Sequence, residues 1–156
     1  GSYGSDVRGL NRLHQFDKVE IVRIEEPSKS YEVLDEMVEH VKNLLLELEL
    51  PFRIVRLCGG DLGFTSALTY DFEVYSMGQN KWLEVSSVSN FESFQSNRLN
   101  LKIDLGDKKK NYAHTLNGSS LALPRIVACI LENFQEKDHI NIPEKLHKYT
   151  GFKQIK

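Results

Sequence analysis

The chain has 156 residues, 40% hydrophobic and 27% charged, which is the composition of a globular domain long enough for one core. Its formal net charge of -2 excludes a chain-wide basic field for nucleic acid, and no apolar run approaches the ~20 residues of a membrane-spanning helix. Only Cys58 and Cys129 are present, which excludes a disulfide framework or a four-cysteine zinc site and fits a reduced, cytoplasmic setting.

Residues 1–9 are rich in glycine and serine and read as a loop, with no signal peptide and the look of a beginning cut from something longer. Residues 10–24 alternate, with Leu13, Val19 and Ile21 on one face, and predict a strand that Pro27 ends. Ser28 or Ser30 then caps a helix over about 30–49, whose apolar residues Tyr31, Leu34, Met37, Val38, Val41, Leu44, Leu45 and Leu48 form one stripe for the core. Pro51 stops it. Residues 52–57 predict a strand, and "CGGDLGF" a plain turn rather than a nucleotide loop, because no Gly-Lys-Ser/Thr follows. Residues 68–76 alternate Tyr70, Phe72 and Val74 against Asp71, Glu73 and Tyr75; with a turn at 77–80 and a strand at 81–89 they predict a hairpin. A short helix follows over 91–98. The run Lys108-Lys109-Lys110 reads as a solvated turn. Residues 111–120 predict a strand running into a Gly/Ser corner, and 121–136 a helix with Pro124 near its first turn. Residues 137–156 read as a tail. Hairpin-linked strands with helices laid on one side predict an α+β fold built on an antiparallel sheet, in a single domain over 1–156.

Three constellations carry chemistry. On a strand, Arg12, Phe16 and Glu20 share one face at steps of about 13 Å. A guanidinium suits phosphate, a ring suits a nucleobase and a carboxylate suits an ammonium group. Spacing alone leaves open a nucleotide beside an amino acid or a salt-bridged sheet face. Glu84-Val85-Ser86-Ser87 offers hard oxygens suited to magnesium and phosphate, or simply a polar strand edge. Glu84 and Ser87 share one ion only if a bulge near 85 or 86 brings them to the same side. In "TLNGSSLALPR", Arg125 falls in the first turn of a helix, against the dipole, and calls for a compensating anion; Gly118 would let a small ligand approach the backbone.

Together these segments resemble a known family. "DVRGLNRLHQFDKVE" resembles the later half of the second class II signature of the seryl-tRNA synthetases. "EVSSVSNFESFQSNR" resembles the stretch that follows. "HTLNGSSLALPRIVACILENFQ" and "IPEKLHKYTGF" resemble the third signature and the C-terminal end. The resemblance runs in order across nearly the whole chain and implies the C-terminal portion of a class II synthetase catalytic core. It implies serine activation by ATP with Mg2+ to seryl-adenylate, transfer of the seryl group to tRNA(Ser), and a homodimeric parent enzyme. By the same resemblance Arg12 contacts the ATP phosphates, Leu13 lies beside the nucleotide through its backbone, and Phe16 and Arg125 cover the two faces of adenine. Glu84 and Ser87 hold the metal and phosphate, with Val85 and Ser86 lining that ATP segment. Glu20, Asn117 and Ser119 belong to the serine pocket. The Arg-x-Glu that opens the second signature, the first signature and the tRNA-gripping arm are absent, so the chain alone is expected to be nearly inactive. The alternative is a paralogue that binds nucleotide or amino acid and does not aminoacylate.

Overall fold

Alternation of apolar and polar residues builds the centre of the molecule. In a computed structural model that describes residues 9–106 and 110–156, strands β1 (Lys18–Glu25), β2 (Phe52–Arg56), β3 (Leu68–Ser76), β4 (Lys81–Asn90) and β7 (His114–Ala122) form one antiparallel sheet in the order β1-β7-β4-β3-β2. One face is apolar: Phe72 and Val74 of β3, Leu83 and Val88 of β4, and Leu116 of β7 are buried in a single cluster. Helix α1 (Ser30–Glu47) lays Leu34, Met37, Val41 and Leu45 on that face, and α3 (Leu123–Asn133) adds Ile126, Cys129 and Ile130. The α+β architecture with helices on one side is therefore as the sequence predicts.

Smaller elements decorate the frame. Helix α2 (Phe94–Leu99) leads to a ribbon of β5 (Lys102–Asp104) and β6 (Lys110–Tyr112). The segment expected to be a plain tail folds into β8 (Ile140–Asn141), a 3-10 turn at Glu144–Leu146, α4 (His147–Thr150) and β9 (Gln154–Ile155). Its regularity is not periodic enough to read in sequence, since two-residue strands leave no alternation. Residues 1–8 and 107–109, which include Lys108 and Lys109 of the basic run, lie outside the described residues.

Four other expectations are corrected. The strand expected over 10–24 begins only at Lys18. Gly9 takes a positive φ of 64° and starts a 3-10 turn at Gly9–Asn11, and Asn11 is buried, so this segment folds in instead of extending. Neither serine caps α1 by its side chain. Ser30 is instead fully buried, donating to the Pro27 carbonyl at 3.3 Å or to Nδ1 of His114 at 2.8 Å, and accepting from Nδ2 of Asn90 at 3.1 Å. The Gly/Ser stretch is no corner, because β7 continues through it to Ala122. Gly118 sits on the packed face: a Cβ there would lie 2.8 Å from Cγ2 of Val88, so the glycine permits two strands to pack rather than a ligand to approach.

A face, a cavity and a bulge make the candidate active site

The face of the sheet away from α1 is polar, and strand register decides what meets there. Residues directly opposite in an antiparallel pair share a face. Glu20 of β1 stands opposite Ser119 of β7, and Val22 stands opposite Asn117. Asn117 in turn faces Ser89 of β4, whose hydroxyl bonds to Oγ1 of Thr69 at 2.7 Å. Glu20, Asn117 and Ser119 are thus gathered on one side of two neighbouring strands: a carboxylate, an amide and a hydroxyl within reach of one small polar ligand.

Arg12 and Phe16 do not share a strand face with Glu20, since both precede β1. The loop that carries them nonetheless places them with the distant helix start. Arg12, Leu13, His14 and Phe16 line a cavity of about 480 Å³ whose other wall is Ala122, Pro124 and Arg125. Phe16 is half-exposed, so its ring has a free face. Arg125 needs no carboxylate partner to hold its place: Nη1 donates to the Glu84 carbonyl at 2.5 Å and Nε to the Asn11 carbonyl at 3.4 Å. Two main-chain carbonyls fix the guanidinium against the helix dipole, with the Glu84 carboxyl close enough to feel its charge.

The bulge that shared use of Glu84 and Ser87 requires is present. Phe72 pairs with Ser86 and Glu73 with Glu84, so Val85 is the extra residue. Ser87 faces Asp71 and Glu84 faces Glu73, and Asp71 and Glu73 share a face. Val85 and Ser86 turn the other way and are buried, with Ser86 Oγ donating to the Ser119 carbonyl at 2.5 Å. These two can reach a ligand only through their main chain.

The electrostatics of this corner are those of crowded carboxylates. Glu84 is pushed above the usual carboxylate range, first by lost solvation and next by Asp71, with Arg125 pulling it back. Asp71 is raised chiefly by lost solvation, against the hydroxyl of Ser87. Its Oδ1 is buried without a hydrogen-bond partner among the described residues. Glu73 is matched on its other side by Arg53, whose Nε lies 2.5 Å from Oε2 of Glu73. Among the described residues no three of His, Cys, Asp and Glu form a metal cage. Hard oxygens of Glu84, Ser87 and Asp71 suit a cation that takes its remaining ligands from phosphate and water.

Asp71, Glu73 and Lys18 receive no role from the sequence, although strand alternation already puts both acids on the wet face and Lys18 beside Glu20. Lys18 lies 2.9 Å from Oε2 of Glu20. Asn11, also missed, is buried with its Oδ1 unpartnered and lines the cavity.

Comparison with known proteins identifies the family and the fold. Residues 2–134 match the family model of the tRNA synthetase class II core domain (G, H, P, S and T). The chain is 58% identical to a serine–tRNA ligase of Salinibacter ruber, over 99% of this chain and 37% of that protein. It is 53% identical to that of Neisseria meningitidis, over 97% and 35%. Its structure resembles a seryl-tRNA synthetase of Pyrococcus horikoshii solved with ATP, at a TM-score of 0.93 and 44% identity, over 98% of this chain and 35% of that one. A prolyl-tRNA synthetase of Giardia lamblia, at 13% identity and a TM-score of 0.80, shares the fold. The chain therefore spans little more than a third of the length of the curated relatives it matches.

Proposed function

The chain belongs to the class II tRNA synthetase core-domain family, and from that premise we propose that it forms the C-terminal part of the catalytic core of a seryl-tRNA synthetase. Such an enzyme joins serine to ATP as seryl-adenylate, releasing pyrophosphate, and passes the seryl group to the terminal ribose of tRNA(Ser). The observation that carries the reading is strand register. Glu20, Ser119, Ser87 and Glu84 share one face of neighbouring strands, and Arg125 of the cavity bonds the Glu84 carbonyl.

In this reading Phe16 and Arg125 hold the adenine between a ring and a flat cation, and Arg12 meets the phosphates. Glu20 takes the ammonium or hydroxyl of serine, with Ser119 and Asn117 at its side. The serine carboxylate is then placed to attack the α-phosphorus in line with the leaving pyrophosphate. No covalent intermediate with the protein is needed; positioning and charge neutralisation lower the barrier. Glu84, Ser87 and the unpartnered Asp71 oxygen would hold Mg2+. When bound, the ion neutralises charge on the phosphates.

The test is serine-dependent ATP–pyrophosphate exchange by the full-length protein that carries this chain. Exchange with serine, and far less with alanine or glycine, is expected. A protein that binds ATP but exchanges with no amino acid would overturn the reading in favour of a non-aminoacylating paralogue.

A further inference from the structure

We propose that Lys18 is a built-in occupant of the amino-acid half-site, its ammonium holding Glu20 until the ammonium of the substrate takes its place. The proposal rests on the reading of Glu20 as the amino-acid carboxylate. Lys18 and Glu20 are two apart on β1 and project to the same side, and Nζ lies 2.9 Å from Oε2. Glu20 is also the residue directly opposite Ser119. The lysine head group therefore stands on the polar face, against the carboxylate that the proposed function gives to the amino acid.

A lysine ammonium and the α-ammonium of an amino acid are the same chemical group with the same three donors. Both cannot occupy one carboxylate oxygen at full strength, so they compete. The side chains of Lys18 and Glu20 are 41% and 33% exposed, which makes the pair weak enough to be displaced. Displacement leaves the ammonium within the site, because Lys18 stays tethered two residues from Glu20 on the same strand. A cation released beside Glu20 is then available to the negative charge that develops on the reacting phosphate. Register supports a built position. Lys18 pairs with Ala122 and Glu20 with Ser119, so a two-residue step on β1 spans three on β7, and the irregularity falls between this pair.

The experiment compares Lys18→Met and Lys18→Arg in the full-length protein, measuring serine affinity by calorimetry and turnover by pyrophosphate exchange. Lys18→Met removes the competitor, so serine binds about two- to five-fold more tightly, the span expected for an exposed ion pair. Its turnover falls about ten-fold, because the released cation is missing from the transition state. Lys18→Arg grips Glu20 through a forked pair, so serine binds about two- to five-fold more weakly. A merely structural lysine would shift both variants the same way. Unchanged or weaker serine binding in Lys18→Met, with wild type binding normally, overturns this proposal alone. A wild-type protein that binds no serine overturns the functional reading and this proposal with it.

Discussion

Glu84 and Ser87, three residues apart on β4, face the same side of the sheet because Val85 is an extra residue between them. In a regular strand they would point to opposite sides. The bulge buries Val85 in the core and, from the same stretch, leaves a carboxylate and a hydroxyl for the ligand. It also puts the Glu84 carbonyl where Arg125 can reach it. One local irregularity thus sets both the candidate metal ligand and the arginine of the proposed nucleotide cavity.

Glu84→Gln keeps the shape of the side chain and removes its charge. We expect pyrophosphate exchange to fall about a hundred-fold, the scale of losing one preorganised electrostatic contact. Folding stability should hold or rise by a few tenths of a kcal/mol, because Glu84 faces the like charge of Glu73. Activity and a urea midpoint measured on the same preparation check both. An equal loss of stability would mean that Glu84 is structural.

Gly118→Ala should destabilise the domain by about 1–3 kcal/mol through overpacking against Val88. The added Cβ would fall 2.8 Å from Cγ2 and 3.1 Å from Cβ of Val88. The double variant with Val88→Ala should recover part of that loss in a double-mutant cycle. Simple additivity of the two changes would refute the contact.

What sequence conveys here follows from period and burial. Residues 68–76 were legible to the residue because their alternation separates a fully buried Phe72 and Val74 from a wet face. The same logic failed at 10–17, where Leu10, Arg12, Leu13 and Phe16 mimic a strand. There, one glycine at positive φ and the burial of a polar Asn11 turn the chain into a loop. The candidate site residues can be picked out by type, but their meeting cannot. Glu20 meets Ser119 through a register spanning about a hundred residues, and Arg125 is held by two carbonyls that no side-chain pattern records. Sequence alternation puts Lys18 on the face of Glu20 but assigns it no role, because lysine two residues from glutamate on a strand is ordinary surface chemistry.

Ser119→Ala should narrow the preference for serine over alanine. A site that hydrogen-bonds a hydroxyl leaves polar groups unpaired when a ligand without one enters, and this is the source of its selectivity. Ser119 is buried and opposite Glu20, so its loss should lower the serine-to-alanine ratio of kcat/KM about ten-fold. The measurement is exchange with each amino acid. A ratio that stays constant would remove Ser119 from the pocket.

His114 should make stability depend on pH. Its pKa is lowered from 6.5, first by burial, with Glu92 acting weakly the other way. The unfolded chain therefore binds a proton that the folded chain resists. Stability is full above pH 6.5 and is lost as pH falls from there toward the depressed folded value. Urea midpoints at pH 7.5 and 5.5 should show the drop, and His114→Gln should reduce it. The replacement keeps a side chain able to bond Ser30, which His114 contacts at 2.8 Å. An unchanged slope in that variant would place the titrating group elsewhere.

The two cysteines should report separately on local and global opening. Cys58 is exposed in the loop before β3, with Sγ 3.5 Å from Oδ2 of Asp61. Cys129 is fully buried on α3, and its thiol is pushed up to about 12, chiefly by burial and secondarily by Glu132. Only the thiolate attacks an alkylating reagent, so Cys129 is protected both by access and by protonation. One equivalent of maleimide should react rapidly at pH 7.5 and a second only in denaturant, with Cys58→Ser abolishing the first. Because α3 carries Arg125 in its first turn, the rate of the second reaction measures how often the helix leaves the sheet. Rapid labelling of native Cys129 would show that α3 opens readily, and the nucleotide cavity with it.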